Sequence, residues 1–175
     1  MIAIRPATVA DAPGIARVHV DTWRSTYRGV VPQEFLDSLD QDARTKQWEE
    51  WLAGEDVHVL VAEDGDIVCG FISGGILHDG AHVAAQNYDS EIYALYVLPA
   101  AQGRGAGRQL MRSLAARLVD SGLKRPVVWA LEQNPWCAFY ERLGGRRVAQ
   151  KMIEIGGRQL SDIAYGWQDI GLLLR

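Results

Sequence analysis

Cysteine is scarce in this 175-residue chain: Cys69 and Cys137 are the only two, and neither belongs to a CxxC pair or to a Cys/His cluster with metal-ligand spacing. That excludes a disulfide framework and a zinc centre, leaves no metal site to expect, and makes both thiols small buried apolar groups. Positive charge is in deficit too, with 18 Lys and Arg against 22 Asp and Glu for a net charge of −4. Nucleic-acid readers carry a basic stripe, so no nucleic-acid partner is expected. No apolar run approaches the ~18 residues of a membrane span. The first residues show no basic-then-apolar leader, and the expectation is a cytoplasmic protein without a membrane partner. Repeats, linkers and low-complexity stretches are missing, so residues 1–175 read as one domain, with 48% hydrophobic residues to build its core.

What is present is an alternation of strand and helix signals. Residues 2–5 alternate as a short strand, and Thr8 with Asp11 three positions later resembles a capping box opening a helix that runs to about Trp23. Pro13 sits in that helix's first turn, where its missing N–H costs little. Gly29 breaks the chain, Pro32 opens a second helix with Phe35, Leu36 and Leu39, and Asp40 caps a third carrying Trp48 and Trp51. Residues 57–63 and 66–73 flank Asp64-Gly65 as an antiparallel hairpin. A polar loop over 78–87 precedes a strand at 91–97, and a helix with Leu110, Met111, Leu114 and Leu118 on one stripe follows. A strand at 126–131, a short helix stopped by Gly144-Gly145 and a hairpin turning at Gly156-Gly157 complete the order β-α-α-α-β-β-β-α-β-α-β-β. The fold class is mixed α/β, a largely antiparallel twisted sheet with flanking helices.

The run Glu91-Ile-Tyr-Ala-Leu-Tyr-Val97 leads through Gln102-Gly-Arg-Gly105-Ala-Gly107-Arg108 into a helix, and that arrangement builds an anion site. Glycines admit a tight turn and close backbone approach, and the free N–H groups of a first helical turn suit a phosphate. A nucleotide-binding P-loop requires Gly-Lys-Ser/Thr, whereas Gly107 is followed by Arg108-Gln109. A dinucleotide fingerprint belongs near the first strand of a βαβ unit, and these glycines come past mid-chain after an antiparallel hairpin.

Gln102-Gly-Arg-Gly105-Ala-Gly107 resembles the acyl-coenzyme A signature of the GCN5-related N-acetyltransferases, and Asn134-Pro-Trp-Cys-Ala-Phe-Tyr140-Glu-Arg-Leu-Gly144 resembles that family's second signature. The element order agrees over essentially the whole chain. The resemblance implies a sheet whose central strands splay apart, with acetyl-coenzyme A as cosubstrate. It puts the pyrophosphate on the N–H groups of Gln102, Gly103, Arg104, Gly105, Ala106, Gly107 and Arg108, with charge added by Arg104 and Arg108. The pantetheine arm would pair with the backbone of Leu95, Tyr96 and Val97. Tyr140 matches the family tyrosine that faces the sulfur and is the candidate acid, or else a half-buried aromatic anchoring its short helix; Asn134 would contact the coenzyme, cap its helix, or do both. Glu91 is the candidate base that takes the amine proton, or else a strand-edge charge. Strict alternation sets Glu91, Tyr93, Leu95 and Val97 on one face, so Glu91 and Tyr93 would look toward one site. Glu132, His78, His82 and Asp162 are lesser base candidates.

Trp23 and Tyr27, four apart on a helix, either wall an acceptor pocket or form a seam with Trp48 or Trp51. Ala164-Tyr165-Gly-Trp167 lines the pocket or packs a homodimer. The leading expectation is acetyl transfer to a primary amine of a small molecule by direct attack. The alternatives are acetylation of a protein or peptide amine and a non-catalytic acyl-coenzyme A sensor; an interaction protein relying on its six tryptophans is a third class.

Overall fold

Strand β1 (Ile2–Pro6) leads through a single 3-10 turn into helix α1 (Ala12–Thr26), and one carboxylate fixes the junction. Asp11 accepts the Thr8 backbone N–H (2.7 Å) and both Nη atoms of Arg5 (2.8 and 2.7 Å), while Arg5 also pairs with Glu63. The Arg5 hydrogen bonds pull the Asp11 pKa down to about 2. Helices α2 (Gln33–Asp37) and α3 (Gln41–Ala53) follow, the latter capped by Asp40, whose side chain accepts the Ala43 N–H at 2.7 Å. The hairpin is β2 (Val57–Asp64) with β3 (Ile67–Ile76), turning at Gly65 with φ +65°. Then come β4 (Ser90–Val97), α4 (Ala106–Asp120), β5 (Pro126–Leu131), α5 (Cys137–Arg142), β6 (Arg146–Ile155) and β7 (Arg158–Gly166). The computed structural model describes residues 1–54, 57–78, 83 and 87–175, so most of the loop expected over 78–87 lies outside the described residues.

The strands form one seven-stranded sheet in the order β1-β2-β3-β4-β5-β7-β6, antiparallel everywhere except at β4–β5. That parallel contact is short: Ser90, Glu91 and Ile92 pair with Pro126, Val127 and Val128, and beyond them the two strands part. One face of the sheet is covered by α4 and α5, through Leu110, Met111, Leu114, Leu118 and Tyr140. The other is covered by α1 and α3, where Ile15, Val18 and Trp48 bury against Val59, Val61 and Phe71. Burying a Leu, Ile or Val side chain contributes roughly 1.5–3 kcal/mol, so both helical layers are fastened to the sheet by several such groups. No helix among the described residues is long and apolar enough to cross a membrane.

Candidate active site

At the start of α4 the chain must turn within a few residues, and glycine makes that possible. Gly103 and Gly105 hold φ of +72° and +87°, a region that side chains with a Cβ rarely enter. The first backbone N–H after this turn to find a helical acceptor is that of Gln109, on the Gly105 carbonyl (3.1 Å). The N–H groups from Gly103 to Arg108 have no acceptor among the described residues, and the positive end of the α4 dipole lies behind them. Gln102 closes the other side of the turn by donating from Nε2 to the Val97 carbonyl at 2.9 Å. Arg108 lines the adjoining pocket, whereas Arg104 turns away and donates from Nη1 to Asp64 (2.6 Å).

The parting of β4 from β5 opens a pocket of about 310 Å³. Its walls bring together the glycine turn, Leu95, Tyr96 and Val97 of β4, Asn134 and Tyr140 of the α5 segment, and Tyr27 at the end of α1. Five further lining residues escaped the sequence reading: Thr22, Thr26, Trp136, Phe139 and Arg142. Thr22 and Thr26 sit one turn apart on α1 and carry no motif. Trp136, Phe139 and Arg142 lie inside the Asn134–Gly144 segment at positions where its pattern leaves the residue type open. Gly107 keeps this wall thin, since a Cβ there would stand 3.4 Å from the Phe139 ring.

Tyr140 is nearly fully buried, its ring flanked by Phe139 (5.5 Å), Tyr165 (5.6 Å) and Trp167 (6.4 Å). Burial, with Tyr96, Cys137 and Tyr165 close by, pushes its pKa well above the ordinary phenol value, so it keeps its proton at neutral pH. The aromatic packing also corrects one expectation. Tyr165 and Trp167 form neither a pocket wall nor a subunit interface but the core behind Tyr140, at 0% and 1% exposure. Trp167 donates from Nε1 to the Leu143 carbonyl (2.8 Å), and Gly145 leaves room for its indole, where a Cβ would come within 2.7 Å.

Strict alternation on β4 also fails. Ile92 pairs with Gly74 and Ala94 with Ser73, so Tyr93 is an extra residue, a bulge that reverses the pleat. Ile92, Leu95 and Val97 consequently pack on the α4 side, while Ala94 and Tyr96 pack on the α1 side. Glu91, opposite to Ile92, shares the α1 side with Tyr96. Glu91 Oε2 accepts the His78 backbone N–H (3.1 Å), and desolvation raises its pKa against that hydrogen bond. Tyr93 is spent locally: its hydroxyl donates to the Ile76 carbonyl, its ring stacks on His78 (4.8 Å), and burial lifts its pKa to about 12.

On the α1 side, Trp23 packs edge-on against Tyr27 (4.9 Å) and donates from Nε1 to the Tyr96 hydroxyl (2.9 Å). The partners of this pair are Tyr96 and Phe35, with His19 standing between it and Trp48. Asn134 donates from Nδ2 to the Tyr27 hydroxyl (3.0 Å) and accepts the Trp136 N–H on Oδ1 (2.9 Å), so it ties the α5 turn to α1. Among the lesser base candidates, Glu132 is exposed beside Arg147 (3.7 Å), His82 lies outside the described residues, and Asp162 is buried on β7 at 7% exposure.

A model of the acetyltransferase (GNAT) family matches residues 18–145. The uncharacterized N-acetyltransferase YuaI of Bacillus subtilis (strain 168) is 37% identical over 175 residues, covering 99% of this chain and 96% of that protein. Among solved structures, yncA of Salmonella typhimurium, described as a putative acetyltransferase with its cofactor acetyl-CoA, superposes with a TM-score of 0.70 at 25% identity, over 96% of this chain and 94% of that one. PaiA N-acetyltransferase of Thermoplasma acidophilum, in complex with coenzyme A, gives a TM-score of 0.71 at 18% identity, over 95% and 99%.

Proposed function

The chain belongs to the acetyltransferase (GNAT) family, and on that premise we propose that it moves the acetyl group of acetyl-coenzyme A to a primary amine of a small molecule by direct attack. The observation that carries this reading is the continuity of one opening. A row of backbone N–H groups without acceptors among the described residues stands at one end, and a protonated, buried Tyr140 and Tyr27, backed by Trp23, stand at the other.

The residues fit acetyl-coenzyme A. Gly103 to Arg108 would hold the pyrophosphate with N–H groups and the helix dipole, Arg108 adding charge. The unpaired edge of β4 at Leu95, Tyr96 and Val97 suits the pantetheine amides, and Asn134 borders the same space. When bound, acetyl-coenzyme A supplies an activated acetyl group and a thiolate leaving group. Glu91 accepts the proton of the attacking amine, a task for which its raised pKa is better matched than that of an exposed carboxylate. Tyr140 holds a proton for the thiolate. Trp23 and Tyr27 keep water from the acceptor side; Tyr93 supports His78 and, through it, the loop end that binds Glu91.

The test is release of coenzyme A from acetyl-coenzyme A in the presence of a panel of primary amines and lysine-containing peptides. At least one small amine should drive release well above the hydrolytic background, and the peptides should not. Peptide-driven release with silent small amines would shift the acceptor to protein; tight binding of acetyl-coenzyme A with no acceptor active would leave a sensor.

A further inference from the structure

Asp162 stands in β7 opposite Leu131 of β5 and Lys151 of β6. Cross-strand partners share a face, and Leu131 packs with Tyr27, Leu36 and Leu160, so the Asp162 side chain lies on the α1 side of the sheet. Glu91 lies on that same side, because its partner Val127 packs with Ala164, two residues along β7 from Asp162. The two carboxylates therefore lie on one side of the sheet, one on β4 and one on β7, and Leu131, the register partner of Asp162, packs on Tyr27 of the pocket wall.

Asp162 is 7% exposed, and no hydrogen bond or ion pair joins its side chain to a described residue. The cation nearest in register, Lys151, places its Nζ over the Trp129 ring at 4.0 Å instead. A carboxylate in such a position costs stability, because its lost hydration is not returned by a partner, and an apolar residue would pack there at no such cost. Desolvation, opposed by Lys151 and reinforced by Glu91, lifts its pKa to about 6, and the charged form still prevails at neutral pH. Its charge is also felt by Tyr27 and Tyr96, the two phenols that face the acceptor end.

We propose that Asp162 is the acceptor-recognition residue of this site, receiving an ammonium group of a cationic amine that bears no carboxylate of its own. The assignment rests on the acetyltransferase reading above and deepens it. Two acidic groups on the acceptor side of the sheet attract a diamine and repel an amino acid whose α-carboxylate would meet them, while Tyr27, backed by Trp23, offers an aromatic ring to the cation. Asp162 binds and Glu91 takes the proton, so the two substitutions separate: Asp162→Asn acts on KM and Glu91→Gln on kcat.

The experiment is calorimetric titration of putrescine and of ornithine, its carboxylated counterpart, into the coenzyme A complex of wild type and Asp162→Asn, with thermal melting of each protein. Wild type should bind putrescine at least about tenfold more tightly than ornithine, and Asp162→Asn should lose about ten- to hundredfold in putrescine affinity with little change for ornithine. Its melting temperature should equal or exceed that of wild type, since a buried charge is removed. Asp162→Ser, which removes the same charge, repeats the contrast should the Asn variant not fold. Unchanged putrescine affinity in both variants, a wild-type preference for ornithine, or no binding of putrescine to wild type would overturn the assignment. Acetylation of putrescine, followed in parallel, reports separately on the transfer reading: binding without transfer defeats that reading and leaves Asp162 as the ammonium site.

Discussion

Tyr140 and Glu91, the proposed acid and base, show how burial would prepare two side chains for opposite tasks. The same desolvation that keeps the phenol protonated makes the carboxylate a stronger base, since in each case removal from water disfavours the charged form. The sign of the pH dependence follows. Glu91 must be ionised to take a proton, so activity falls as pH drops through its folded pKa, which lies above the ordinary glutamate value. The acid limb of the kcat/KM profile should accordingly sit above that of a free glutamate, and Glu91→Gln should lower the rate and remove that limb. Superimposable profiles for the two proteins would take Glu91 out of the mechanism. At this scale Tyr140 was legible, because a motif carries it. Asp162 was weaker in the sequence, since its meaning comes from burial and from a missing partner that only the β5–β7–β6 register exposes.

Helix α4 and its glycine turn were readable because their constraints are local: positive φ at Gly103 and Gly105, then an apolar stripe that repeats every three or four residues. Gly107 needs little room of its own, yet any side chain there points at Phe139 and into the pocket wall. Gly107→Val should abolish acetyl-coenzyme A binding in a calorimetric titration while leaving the far-ultraviolet circular dichroism of the fold in place. Ordinary affinity in that variant would displace the proposed pyrophosphate site. The bulge at Tyr93 could not be read from β4 alone. It is set by pairing with β3, where Gly74 brings its backbone so close that a Cβ would stand 2.7 Å from the Glu91 carbonyl. Periodicity describes an ideal strand; register is a property of two, and the face that Glu91 occupies relative to Leu95 depends on it.

The whole molecule is two half-sheets, β1 to β4 and β5-β7-β6, hinged on three residue pairs. The candidate site lies where they part, so its walls come from both halves. The splay itself was foreseeable only through resemblance; composition and spacing carry no sign that a parallel pair stops after three residues. A ligand spanning both halves binds the folded chain and not the unfolded one. At a hundred times its Kd, acetyl-coenzyme A should stabilise the fold by about 2.7 kcal/mol. For a domain of this size that is a rise in Tm of roughly 5–10 °C. A melting curve indifferent to the coenzyme would place its site elsewhere or nowhere.

The proposed transfer turns on acid catalysis by Tyr140, in the wall of that opening. The measurement that reaches it most directly is kcat/KM for amine-dependent release of coenzyme A by wild type and Tyr140→Phe, with acetyl-coenzyme A affinity determined on the same preparations. Loss of a general acid predicts a fall of about a hundredfold or more in the variant with affinity little changed. Equal rates for the two proteins would contradict it.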